Sequence, residues 1–172
     1  SVNTTPTQVS QGQDSLAVVL QVQNSGEVDA IVGIDSVGIE FQRNLNTVAL
    51  ISPATPDTIS SSSTANYNFN IDINGTAATG IDSIRGFVIG RNMRTGEIVS
   101  QTSNYLDWWN VQSPPNIVID RVSNPYTQVN SGQQDLIVSV AIRNQGQATA
   151  LIDSIGLITT PPDTTTDSLI VA

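Results

Sequence analysis

The side chains best suited by type to do chemistry here are carboxylates. The 172-residue chain has twelve Asp and three Glu, no His, Cys or Lys, and six Arg as its only basic side chains. The usual general bases and nucleophiles are therefore missing. What remains is the carboxylate pair that hydrolyses glycosides. Asp29, Asp35, Asp72, Asp82 and Asp107 qualify by type, but no spacing singles out two of them. We read them as solvated strand and loop acids and the chain as a non-enzyme, with no catalytic residue and no cofactor. Calcium would require about six to eight oxygen ligands. Asp163 and Asp167 flank a Thr run, and Asp29 and Asp35 could converge, but there is no Asp-x-Asp-x-Asp loop. No metal site is expected.

A second chemistry is recognition by aromatic faces. Tyr105, Trp108 and Trp109 form the chain's aromatic cluster, suited to a glycan or to a neighbouring module. If the segment is a strand, the adjacent Trp residues face opposite sides, one toward a core and one toward solvent. Asn3-Thr4-Thr5 and Asn74-Gly75-Thr76 are glycosylation tripeptides, which makes Asn3 and Asn74 acceptor candidates in a competent host. The net charge of −9 and the scattered arginines argue against nucleic acid, which requires clustered cations. No apolar run approaches the roughly 20 residues of a membrane span. An acidic surface rich in Thr, Ser, Asn and Gln fits an extracellular or cell-surface protein.

These residues must be positioned by strands. No segment keeps a 3.6-residue apolar period, whereas period-two alternation is frequent. Leu16, Val18, Leu20 and Val22 fall on one strand face, as do Tyr67, Phe69, Ile71 and Ile73, with Asn66, Asn68 and Asn70 opposite. Phe87 and Ile89 are read as further core. Asn24-Ser25-Gly26-Glu27 and Arg91 to Gly96 read as hairpins, and Ala77-Ala78 as one helical turn. About seven strands in about 110 residues predict an all-β, immunoglobulin-like β-sandwich.

The pattern then repeats. Thr7 to Asn24 returns 120 residues later as Thr127 to Asn144, with eight of eighteen positions identical. Ile34-Asp35-Ser36-Val37-Gly38-Ile39 returns as Ile152-Asp153-Ser154-Ile155-Gly156-Leu157, and Ile81-Asp82-Ser83-Ile84 is a third relative, its acid expected at a bend or solvent face. Ser1 to Asn3 aligns with Arg121 to Ser123. Ahead of the latter stands an apolar strand, Asn116-Ile117-Val118-Ile119-Asp120, with no equivalent in the first copy. We expect a module over 1–113 and the start of a second, incomplete one over 114–172, a window on a longer tandem array. Pro114 and Pro115 form the hinge, because proline fixes φ.

The Gln11-Gly12-Gln13 turn with Asn24-Ser25-Gly26, its second copy Ser131-Gly132-Gln133 with Asn144-Gln145-Gly146, and the junction Trp109-Asn110-Val111-Gln112-Ser113-Pro114 resemble CARDB-type domains, the cell-adhesion-related immunoglobulin-like modules of bacterial extracellular proteins. The resemblance implies a structural or adhesive role as a cell-surface stalk, adhesin or filament, with neighbouring copies as partners, and transfers no catalytic residue. The alternative reading is a carbohydrate-binding accessory module of a secreted enzyme, with a cell-surface glycan as partner.

Overall fold

The computed structural model describes residues 1–105 and 107–158. They divide into two compact units, Ser1–Pro114 with Gly146–Ala148, and Pro115–Gln145 with 149–158. Asp163 and Asp167 lie outside the described residues.

The first unit is an immunoglobulin-like β-sandwich. One sheet has four strands in the order β1 (Val2–Thr4), β3 (Leu16–Gln23), β7 (Thr64–Asp72), β5 (Thr47–Ser52), all antiparallel. The other runs β2 (Gln8–Ser10), β10 (Asp107–Gln112), β8 (Gly80–Asn92), β4 (Ala30–Phe41), β6 (Asp57–Ile59), with β9 (Ile98–Thr102) also on β8. Its strands are antiparallel except for the short β2–β10 pair. Both β9 and β10 lie antiparallel to β8, β9 along Phe87–Arg91 and β10 along Gly80–Ile84.

The alternation in β3 and β7 dictates the core. Val18 pairs with Phe69 and Leu20 with Tyr67, so their side chains share one face and all four are buried. Val32 and Ile39 of β4, Ile84 of β8, and Trp109 and Val111 of β10 meet them from the facing sheet. Asn66, Asn68 and Asn70 point outward and are exposed. Gly86 lies inward on β8, and a Cβ there would collide with the Leu20 side chain. The absent side chain lets the two sheets approach at that point.

Four expectations change. Asn24 to Glu27 does not close a hairpin, because β3 and β4 belong to different sheets. The segment crosses between them, tied down by Asn24, whose Nδ2 donates to the carbonyls of Val28 and Ile59. Phe87 and Ile89 are not core. The inward residues of β8 include Asp82, Ile84 and Gly86, so the odd-numbered neighbours look out, and Ile89 is 44% exposed. Ala77 belongs to a single turn closed by its N–H on the Asn74 carbonyl, not to a helix. Asp82, expected at a bend or in solvent, is fully buried.

The second unit contains β11 (Ile117–Ser123) antiparallel to β12 (Ser139–Asn144). Its register repeats that of the first unit. Val2 faces Leu20 and Asn3 faces Val19 in β1–β3, while Val122 faces Val140 and Ser123 faces Ser139 in β11–β12. The preceding turns match too. Gln13 donates its N–H to the Ser10 carbonyl and accepts the Ser10 N–H on Oε1, and Gln133 does both with Asn130. Gly12 and Gly132 take φ of 72° and 80° at these turns, a region glycine enters without steric cost.

Candidate functional site

The exposed aromatic cluster lies on the outer face of the larger sheet. Period two in β10 sends Trp109 inward and Trp108 outward. Trp109 is 1% exposed and stacks on Phe41 of β4, with ring centroids 5.2 Å apart and planes 13° from parallel. Its indole N–H is buried without an acceptor, at a cost of about 1–3 kcal/mol that burial of the ring and stacking offset. Trp109 is therefore core. It is removed from the glycan and module-contact candidates, because no ligand can reach it.

Trp108 is 48% exposed and pairs with Ser83 of β8. Two residues along the same face, Arg85 pairs with Glu40 of β4, and its Nη2 lies 2.6 Å from Glu40 Oε2. That bond raises the Arg85 pKa. Its carbon sits 5.2 Å from the Tyr105 ring centroid, a cation–π distance. Tyr105 is itself 41% exposed. The arrangement offers one open aromatic ring at Trp108, a second whose face is shared with Arg85, and a fixed ion pair. It suits a polyhydroxyl ligand or a polar protein surface. Sequence reasoning found both exposed aromatics but not Arg85 or Glu40. The only available signal for these was their outward position, in strands whose pairing was not yet known.

Most of the candidate carboxylates hold the fold. Asp107 Oδ2 accepts the N–H and hydroxyl of Thr4 at 2.6 and 2.8 Å, fixing β1 beside β10. Asp29 accepts the Ser61 N–H and Asp72 the Ser15 N–H, each at 2.8 Å. Asp82 accepts the Arg43 N–H on Oδ1 and Asn44 Nδ2 on Oδ2, both at 2.8 Å, while Asn44 Oδ1 accepts the Ala78 N–H at 2.7 Å. These bonds pin the segment after β4 to the start of β8. Asp35 is exposed, with φ of 55° in the irregular stretch between Val32 and Val37. Among the described residues no group of three or more acids could hold a metal ion.

One further acid, Asp57, accepts the Tyr67 hydroxyl at 2.9 Å. Burial, and then that carboxylate, push the Tyr67 pKa well above the ordinary tyrosine value. Both glycosylation candidates are exposed. Asn3 lies mid-strand in β1, and Asn74 lies in a turn where its Oδ1 accepts the N–H and hydroxyl of Thr76. Pro114 and Pro115 fall where the two units divide. No helix among the described residues is long and apolar enough to cross a membrane. No protein-family model matches the chain, and no curated protein matches it.

Proposed function

We propose that the chain is a non-enzymatic structural or adhesive protein of the cell exterior, built of tandem immunoglobulin-like modules of the CARDB type and serving as a stalk, adhesin or filament segment. The carrying observation is the repeated opening element. Its Gln-capped turn and strand register recur at an interval of 120 residues on either side of the Pro114-Pro115 boundary. Repetition of a stable unit serves reach and spacing. The candidate carboxylates support the same reading, since Asp29, Asp72, Asp82 and Asp107 bind backbone N–H groups. The test is protease shaving of intact source cells. Peptides from this chain should appear in the shaved fraction, together with peptides from further repeats. Recovery only after lysis overturns the extracellular placement.

Trp108 and Tyr105 favour a second reading, a carbohydrate-binding accessory module. Titration with soluble polysaccharides under Trp fluorescence separates the two. A saturable change that is lost in Trp108→Ala supports the carbohydrate reading, and a flat response across neutral and acidic polysaccharides removes it.

A further inference from the structure

Asn74-Gly75 is the chain's one Asn-Gly step, and it lies in an exposed turn between β7 and β8. The backbone there is pinned on both sides. The Asn74 N–H donates to Asn46 Oδ1 at 3.3 Å, and the Asn74 carbonyl accepts the N–H of buried Ala77 at 2.9 Å. Within this frame Asn74 Oδ1 accepts two bonds, from the Thr76 N–H and the Thr76 hydroxyl, each at 2.9 Å. Gly75 stands between the two residues, and a Cβ built on it meets nothing within 4 Å.

At Asn24 the bonds fall mainly on the other end of the amide. There Nδ2 donates to the carbonyls of Val28, Ile59 and Ser60, against one donor on Oδ1, the Gly26 N–H. Bonds of that kind hold the amide nitrogen in place. Two donors on Oδ1 do the reverse. They draw charge onto oxygen, leave Cγ more open to attack, and sit where negative charge develops when a nucleophile adds. The nucleophile that the sequence supplies is the Gly75 backbone nitrogen. It closes a five-membered ring with Cγ, and glycine places no Cβ beside it to obstruct the approach.

We propose that Asn74-Gly75-Thr76 is a self-modifying site, at which Asn74 becomes aspartate or isoaspartate with the two Thr76 donors as its oxyanion site. The Gly75 nitrogen gives its proton to solvent base and bonds to Asn74 Cγ. The oxyanion at Oδ1 collapses, the Cγ–Nδ2 bond breaks, and Nδ2 takes a proton from solvent and leaves as ammonia. One water then opens the succinimide at either carbonyl. The sum is water in and ammonia out, with no change of oxidation state. The product adds a negative charge to a chain already at −9. A glycan on Asn74 would occupy the same nitrogen, so the two modifications exclude each other, and loss of the amide ends the acceptor tripeptide. The site stands whether the protein is a stalk or a glycan binder.

The test holds the full, unglycosylated chain in mildly alkaline buffer and follows conversion at each Asn by peptide mass spectrometry, with isoaspartate scored separately. Conversion at Asn74 should exceed that at Asn24 and Asn130, which are each followed by serine. Gly75→Ala should slow it by about tenfold or more; the fold tolerates this change, because the site is open and Gly75 takes no left-handed φ. Thr76→Val keeps the N–H donor and loses the hydroxyl. It should slow conversion by about threefold or more, a smaller effect than in a water-excluded site. That difference should vanish in guanidinium chloride, where neither donor is held. No excess conversion at Asn74 overturns the site. Folded Thr76→Val converting as fast as the parent, or faster, overturns the oxyanion role. A difference that persists unchanged in denaturant overturns the part assigned to the folded turn.

Discussion

Asp82→Asn should cost the first unit about 2–4 kcal/mol, although the two side chains are nearly the same size. Asp82 is fully buried and accepts two bonds, from the Arg43 N–H and from Asn44 Nδ2. An amide retains one acceptor for Arg43 but turns an NH₂ toward the Asn44 NH₂, at the 2.8 Å that now separates donor from acceptor. Rotating the Asn44 amide does not relieve this, because its Oδ1 already accepts the Ala78 N–H. Rotating the new amide merely moves the clash to Arg43. One bond to a charged group is lost, about 1.5–3 kcal/mol, and one buried donor is orphaned, about 1–3 kcal/mol, with partial overlap between the two. The exchange Asp82→Asn with Asn44→Asp restores a donor opposite an acceptor at both contacts. It should recover at least half the loss and give a coupling energy of about 1–2 kcal/mol. Urea denaturation followed by Trp fluorescence measures this in the full chain, because both tryptophans lie in the first unit. An Asp82→Asn variant within about 0.5 kcal/mol of the parent would refute the network. So would an exchanged double variant as unstable as the sum of its singles.

Phe69→Ala should cost about 3–5 kcal/mol and Asn68→Thr less than about 0.5 kcal/mol in the same melts, since they occupy opposite faces of β7. Trp108→Ala should leave the urea midpoint near that of the parent and remove most of the emission that acrylamide quenches, whereas Trp109→Ala should cost about 3–5 kcal/mol. The raised Tyr67 pKa means that the fold favours the neutral phenol. That stability is fully present below the unfolded value of about 10 and is lost as pH rises through the higher folded value. Tyr67→Phe should therefore flatten the alkaline decline in stability measured by urea melts above pH 10. It should also lower stability at pH 7 by about 1.5–3 kcal/mol through loss of the bond to Asp57.

What was legible in the sequence was whatever period two could encode. The inward faces of β3 and β7 follow from alternation, because each has one wet and one dry side. The opposite facing of Trp108 and Trp109 follows in the same way. Which of the two turns inward does not, since Phe41, some 70 residues earlier, supplies the stacking partner. Asp82 shows the same limit. Ile-Asp-Ser-Val at 34–37 and Ile-Asp-Ser-Ile at 81–84 are nearly one tetrapeptide, yet Asp35 sits exposed at φ 55° and Asp82 is fully buried. The difference is a donor pair at Arg43 and Asn44, 39 and 38 residues before Asp82. The crossing at Asn24–Glu27 was misread for a related reason. Turn residues announce that the chain reverses but not which sheet receives the next strand.

The repeated element separates what local sequence sets from what the sandwich adds. The two copies share eight of eighteen residues and stand in different surroundings. One is packed within a two-sheet core and the other, among the described residues, pairs with β11. Even so, the turn closes on the same Gln side chain, Ser15 and Asp135 take φ of 59° and 60°, and the pairs Val2–Leu20 and Val122–Val140 hold the same register. Turn chemistry and alternation are therefore sufficient to fix the register here, as a glycine at the left-handed position and a self-capping glutamine would suggest. Burial and strand length depend on the neighbours instead. Val18 is fully buried, whereas its counterpart Val138 is only half-buried. The strand that starts at Leu16 beside β7 starts only at Ser139 in the copy, three residues after the equivalent Leu136.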